Sequence, residues 1–331
     1  MRVLVIGGTG LISTAITRQL LERGDDVTLY NRGRTPARVN GDYRVITGDR
    51  KDFAAFEQQM WHAGEWDAVI DMVCFTPEEA ESDRRAFTGR TGQLVFCSTV
   101  DVYSRPAGRY PIREDESRRS NTAYGRNKAA AEDVLLGAHL VGELNVTVIR
   151  PAQTYGEGGV IVHSLGWSNS YLDRVRKGLP VVQHGDGTSL WVSLYVDDCA
   201  RAFVNALGNQ KAFGRAYNAT GETWRTWLQY QRGVAEALGA PEPELVFIPS
   251  DVLARLTPKR AAISWENFQY SNIFDTSAAR EDLGFSETVP WVEGVRRTAA
   301  WLEANGRWQD SSEDPEYDEV IRRWRAGTAA L

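Results

Sequence analysis

Histidine, methionine and cysteine are scarce in this chain of 331 residues, at four, three and three, and each shortage removes a class of chemistry. The cysteines, Cys74, Cys97 and Cys199, are odd in number and far apart. A disulfide framework uses even sets at close spacing, so buried reduced thiols are expected instead. His62, His139, His163 and His184 lack ligand spacing, and no metal site is expected. No apolar run approaches the ~18 residues of a membrane helix. Positive charge is not in excess: 38 Lys and Arg against 44 Asp and Glu leave a net charge of −6. That is not the basic footprint of a nucleic-acid binder, so nucleic acid is not an expected partner. The chain enters the apolar run Val3–Ile6 almost at once, with no room for a secretion signal, and a cytoplasmic location is expected. The Asn145-Val146-Thr147 sequon falls inside a strand pattern and reads as chance.

What is present is an alternation. Short, β-branched apolar runs at Val3–Ile6, Val27–Tyr30, Ala68–Ile70, Leu94–Phe96 and Val146–Ile149 suit strands buried on both faces. Between them lie helical patterns at Leu11–Arg23, Lys51–Met60, Pro77–Phe87 and about Thr122 to His139. Thr76 followed by Pro77 has the form of an N-cap and a first-turn proline. The expected fold class is α/β, a Rossmann-type doubly wound parallel sheet with a smaller C-terminal substrate lobe. The expected domains are 1–150, with later strands returning around 192–219, then 151–306 as the lobe. Residues 307–331 read as a polar tail carrying a short helix from Pro315 to Arg325.

A glycine turn joins the first strand to the first helix: Ile6-Gly7-Gly8-Thr9-Gly10-Leu11-Ile12-Ser13. Backbone amides at a helix N-terminus can meet a pyrophosphate, so Gly7, Thr9, Gly10, Leu11 and Ile12 are candidate dinucleotide contacts. Ser13 stands where a third glycine is usual. At the end of the second strand, an acidic residue would favour NAD and an arginine NADP. The chain has Asn31-Arg32-Gly33-Arg34 there, which points to NADP, with Asn31 on an NAD ribose as the alternative. Gly48-Asp49-Arg50, after the third strand, adds Asp49 and Arg50 to the candidate cofactor contacts, Asp49 near the adenine.

Tyr124 and Lys128 are four apart, just inside a predicted helix and on one face. A phenol has a reference pKa of about 10, and a neighbouring ammonium would favour its phenolate. The pair therefore reads as a general acid/base beside a dinucleotide.

Together with Ser98-Thr99-Val100-Asp101, Arg150-Pro151, Tyr195-Val196-Asp197-Asp198 and Asp275-Thr276-Ser277, these motifs resemble the extended short-chain dehydrogenase/reductase superfamily, which contains nucleotide-sugar epimerases, dehydratases and decarboxylases. The resemblance implies Tyr124 as general base, Lys128 on the nicotinamide ribose, Thr99 on the reacting oxygen and Asp101 as a second acid/base. Val100 stands where sugar dehydratases keep an aspartate, which argues against that reaction. Trp191 stands where many nucleotide-sugar enzymes keep an arginine for the diphosphate. Trp191 and Trp167 are candidate substrate contacts, and Arg174, Arg260 or Lys259 candidate replacements for the missing cation. The expected function is an NAD(P)-dependent oxidoreductase on a sugar or nucleotide sugar, foremost an epimerase working through a transient ketone. Simple carbonyl reduction or dehydrogenation, and decarboxylation, are the alternatives. Asn31-Arg32-Gly33, Gly48–Asp52 and Gly187–Trp191 also resemble chloroplast stem-loop-binding proteins, so a dinucleotide-sensing RNA-associated or regulatory binding protein is the alternative of another class. Members of the superfamily dimerise through the Tyr–Lys helix, and Ala129–Leu136 is apolar enough for a homodimer or for packing on the sheet.

Overall fold

Buried β-branched runs flanked by turn residues become strands because both faces of each can be covered. In the computed structural model, which describes residues 1–328, the strands are β1 (Arg2–Ile6), β2 (Asp26–Asn31), β3 (Arg44–Thr47), β4 (Ala68–Asp71), β5 (Leu94–Cys97) and β6 (Val146–Pro151). With Arg215–Ala219 they form a seven-stranded sheet in the order Arg215–Ala219, β6, β5, β4, β1, β2, β3. Every neighbouring pair is parallel. The chain thus leaves β1 in one direction and returns to β4 on its other side. That reversal is a topological switch point, where an open α/β sheet offers a crevice beyond its strand ends. The doubly wound fold expected from the sequence is the one observed. Of the chain expected to return around 192–219, Arg215–Ala219 joins the sheet, while Ser193–Tyr195 is a short strand outside it.

Four helices follow the strands: α1 (Leu11–Arg23), α2 (Phe53–Ala63), α3 (Pro77–Phe87) and α4 (Ala123–Leu140). Helix α1 packs against Val196–Ala206, whereas α2, α3 and α4 pack in a row. Beneath that row, Leu4, Ile6, Val69, Phe96 and Val148 of the sheet meet Phe56, Met60, Phe87, Ala131 and Leu135 in one buried cluster. Phe56 lies edge-on to Tyr30 at 5.2 Å and to Phe87 at 6.1 Å, each contact worth about 0.5–1.5 kcal/mol beyond the area buried. Ala131, Leu135 and Ala138 of α4 all serve this core. At the start of α3 the Thr76 hydroxyl accepts from the Glu79 amide, and Pro77 occupies the first turn as expected. Such a cap is worth about 1 kcal/mol.

The chain divides into two compact units. One holds Met1–Thr154, Val196–Gly221 and Phe274–Glu287; the other holds Tyr155–Tyr195, Glu222–Ile273 and the chain from Thr288. The second unit is built on small sheets and an aromatic core. Val181–His184 runs parallel to Leu245–Ile248, and Leu190–Trp191 antiparallel to Arg225–Thr226. Residues expected to be a polar tail are part of this unit: helix Pro315–Thr328 buries Tyr317, Val320 and Ile321 against Leu165, Val182 and Ile248. Its polar face hides a three-residue apolar seam, too sparse to mark the segment as core from composition.

Candidate active site

The glycine turn sits at the C-terminal end of β1, beside the switch point. Gly7 has φ +81°, and a Cβ there would lie 2.5 Å from the Val73 side chain. Only glycine takes that backbone without strain. Ser13 has a job the sequence did not reveal: its hydroxyl donates to the Gly7 carbonyl at 2.7 Å and accepts from the Gly10 amide at 2.8 Å. It latches the turn that a third glycine would otherwise only leave room for.

Two adjoining cavities open from this turn. The first, about 480 Å³, is lined by Gly7, Thr9, Gly10, Asn31, Arg32, Arg34, Asp49 and Arg50, among others. The second, about 340 Å³, shares Gly7, Gly10, Val73 and Phe75 with the first and adds Leu11, Ile12, Thr99, Tyr124 and Lys128. Every residue named as a cofactor contact from the sequence therefore lines one continuous trough. The sequence reading missed Val73, Phe75, Glu79, Cys97 and Gly48, which also line it. The fold shows why Gly48 stands there: a Cβ would collide with the Tyr30 hydroxyl and the Gln59 side-chain oxygen.

At the outer end, Arg32 and Arg34 are exposed, and the Asn31 side-chain oxygen accepts from the Gly33 amide at 2.8 Å, which holds the turn. Arg50 differs from its neighbours. Its guanidinium is buried, 3.2 Å from Asp71 and 2.9 Å from Asp83, so its charge is balanced inside the protein rather than offered to a phosphate.

At the inner end, Lys128 is buried and its ammonium donates to the Cys74 carbonyl at 2.7 Å and the Cys97 carbonyl at 2.6 Å. The Phe75 and Phe96 rings each lie 4.8 Å from it, which further offsets the cost of burying a charge. Tyr124 is 45% exposed as a residue, and its ring faces Phe75 at 6.4 Å. Its hydroxyl is pushed up from the usual phenol range, first by the loss of water around it and then by Cys97 and Asp101, with nearby Thr99 opposing. The lowering expected from Lys128 is thus not found: the ammonium is spent on two carbonyls, and burial dominates at the phenol. Burial likewise pushes the Cys97 thiol up to about 11.

Asp101 does not line the trough. Its carboxylate accepts from the Thr122 hydroxyl, and Thr122 in turn caps α4 by accepting from the Gly125 amide at 2.9 Å. It braces the helix that carries Tyr124, and the expected second acid/base becomes a helix-start brace. Trp191 is corrected too. It lies in the second unit, buried against Trp227 and Phe268 at 4.9 and 4.8 Å, with its indole N–H on Ser193 at 3.1 Å. A large indole contributes most to stability when its area is buried, and this one is used that way. Trp167 is 58% exposed. The arginines proposed as substitute cations are paired: Arg174 with Asp318 at 2.7 Å and Arg260 with Asp314 at 2.6 Å.

A family model described as the NAD dependent epimerase/dehydratase family matches residues 3–88 and 84–220. The chain belongs to that family. Among relatives, 2'-dehydrokanamycin reductase of Streptomyces kanamyceticus is 26% identical over 98% of this chain and 91% of its own length. Chloroplast stem-loop binding protein of 41 kDa b from Arabidopsis thaliana is 28% identical over 74% of this chain and 65% of its own. Among solved structures, UDP-glucuronic acid 4-epimerase from Bacillus cereus in complex with NAD superposes with a TM-score of 0.71 at 20% identity, over 92% of this chain and 99% of that one. At that identity the likeness speaks for the fold. Among the described residues, no helix is long and apolar enough to cross a membrane.

The trough fits the dinucleotide that the family uses: a glycine cradle without room for side chains, a helix N-terminus, and arginines at one end. Gly7→Ala tests this. A strained φ costs about 1–3 kcal/mol, and the added methyl must displace Val73. NADH affinity, read by fluorescence titration, is expected to fall at least about ten-fold; unchanged affinity would move the cofactor elsewhere.

Proposed function

We propose that the chain is an NAD(P)-dependent oxidoreductase of a sugar carbonyl or hydroxyl, with Tyr124 exchanging the proton. The observation that carries this is the meeting of Tyr124, Thr99 and Lys128 with the glycine turn along one trough. Nicotinamide, when bound, supplies the carbon that gives or takes hydride. Lys128 is held where it can bond a ribose hydroxyl with its remaining donor, since two of its three N–H bonds meet carbonyls. Thr99 orients the reacting oxygen beside Tyr124. Tyr124 then donates its proton to a carbonyl oxygen as that carbon is reduced, or removes it from a hydroxyl in the reverse direction.

A phenol, with a reference pKa of about 10, is already protonated through neutral pH, and the upward shift here adds to that. The donating direction, reduction, finds its proton in place. Its rate should stay level through neutral pH, while the oxidative direction, which needs the phenolate, should climb as pH rises. This supports reduction of a sugar ketone as the leading reading, in line with the name of the Streptomyces relative. Epimerisation by oxidation and return of hydride is the second reading, favoured by the names of the fold neighbours. It uses the same tyrosine. Inversion at a neighbouring carbon would need another acid/base, and Asp101 is engaged by Thr122. Arg32 and Arg34 at the rim support NADP; the family's description supports NAD. An RNA-associated role rests on the name of one relative and is opposed by a net charge of −6.

The deciding assay offers NADH and NADPH separately, with UDP-glucose, UDP-glucuronic acid and 2'-dehydrokanamycin as probes. Multiple-turnover loss of the reduced cofactor supports the reductase. A changed sugar with no net cofactor change supports the epimerase. Failure to bind either dinucleotide sinks both.

A further inference from the structure

A group of buried charges lies against the dinucleotide trough and takes no part in proton transfer. Arg50 follows β3, Asp71 ends β4 and Asp83 lies on α3; Arg50 is 6% exposed and both aspartates 0%. The guanidinium meets one carboxylate at 3.2 Å and the other at 2.9 Å. Two carboxylates for one cation leave an excess negative charge in a dry place, which is costly unless a proton neutralises it. A carboxylate oxygen of Asp71 and one of Asp83 lie within 4.8 Å of each other, so their charges oppose and a proton on one of them is favoured. Asp83 accordingly stands well above the usual carboxylate range, through burial first and the Asp71 charge second. The other groups around the cluster are Cys74 in the following loop, Glu57 on α2, Glu79 on α3 and Lys128 on α4. Asp71, Cys74 and Asp83 have the spacing of a metal site. The Arg50 guanidinium already fills the cation position, so a metal would be repelled.

The cluster is wired to the trough. Asp71 accepts from the Val73 amide at 2.7 Å, and Val73 is the side chain that abuts Gly7. Arg50 donates to the Glu79 carbonyl at 2.5 Å, and the Glu79 carboxylate accepts from the Phe75 and Thr76 amides at 2.5 and 3.1 Å. Cys74, between Val73 and Phe75, offers its carbonyl to Lys128. Loop 72–75 is therefore gripped by Asp71 and Glu79, with Arg50 joining the two grips. Arg50, Val73, Phe75 and Glu79 line the trough; Asp71 and Asp83 do not.

We propose that Asp83 is a positioning residue for the dinucleotide, clamping Arg50 beside Asp71 and so keeping the charges beneath loop 72–75 balanced. This rests on the reading of the trough as the dinucleotide site. Loss of a proton from this carboxyl pair as pH rises puts an extra negative charge beside a site for an anionic ligand, so affinity falls with it. Asparagine keeps the size and hydrogen bonding of the protonated acid and cannot ionise.

The test is titration of the full chain with NADH and NADPH, from neutral to alkaline pH, for the wild type, Asp83→Asn and Asp83→Ala. Asp83→Asn should bind within about two-fold of wild type at neutral pH, and its affinity should stay level where the wild type's declines. Asp83→Ala should bind at least about ten-fold more weakly at every pH, because Arg50 loses its clamp. A folded Asp83→Ala with wild-type affinity overturns the proposal. If Asp83→Ala fails to fold, Asp83→Asn decides alone: a pH profile matching the wild type's overturns it, and a level one supports it. A wild type that binds neither dinucleotide defeats the cofactor reading itself, which is a separate result.

Discussion

Tyr124→Phe should lower turnover roughly a hundred- to ten-thousand-fold, the usual range for losing a positioned acid or base, while dinucleotide affinity stays within about two-fold. The phenylalanine ring fills the same space and preserves the contact with Phe75, whose centroid lies 6.4 Å away. What it removes is one hydroxyl, the only part of the side chain able to exchange a proton. Turnover with the responding sugar probe, compared with NADH titration of the same preparation, separates the two effects. Wild-type turnover in this variant would end the assignment of the proton to Tyr124. Loss of affinity and turnover together would mean that the ring, rather than the hydroxyl, matters.

Lys128→Met should be damaging in a different way. Methionine replaces the alkyl stem but leaves the Cys74 and Cys97 carbonyls, which accept at 2.7 and 2.6 Å, without their donor. An unsatisfied buried acceptor costs about 1–3 kcal/mol, so for two a loss of roughly 2–6 kcal/mol of stability is expected by denaturant unfolding. Both carbonyls belong to strand-end segments that line the trough, so dinucleotide affinity should fall at least about ten-fold in the fraction that remains folded. Lys128→Arg keeps the charge, but its planar fork cannot reproduce a point donor between two carbonyls, and only part of the affinity should return. A Lys128→Met protein as stable and as tight-binding as wild type would show that the ammonium is not the tie described.

Much of the architecture is legible in the sequence because its signals are local. A strand needs only a short β-branched run, and the glycine turn announces itself by falling between such a run and a helix. β3 is harder: Arg44–Thr47 is a largely exposed edge with no apolar run of its own. The trough is also legible, since its residues stand at the C-terminal ends of successive strands. Charge direction is not. Spacing puts Lys128 on the same helix face as Tyr124, but nothing in the spacing reveals that two carbonyls, one from loop 72–75 and one from the end of β5, capture its ammonium. Arg50 looks like a phosphate ligand until Asp71 and Asp83, distant in sequence, fold against it. Asp101 looks like an acid/base until Thr122 is seen to occupy it. Trp191 invites a substrate role because its position is conspicuous, yet Trp227 and Phe268 claim its faces. The order of readings changes for the same reason: with Asp101 engaged by Thr122, inversion lacks the second acid/base that the family resemblance had supplied.

The Ser13 latch has one more consequence. Because a hydroxyl joins Gly7 to Gly10 without help from any ligand, the turn is already pre-organised for a visitor. Little conformational entropy is then lost on association, and tightness can come from contact rather than be spent on ordering the loop. Ser13→Gly would keep the space and abandon that advantage, making the empty turn looser than the filled one.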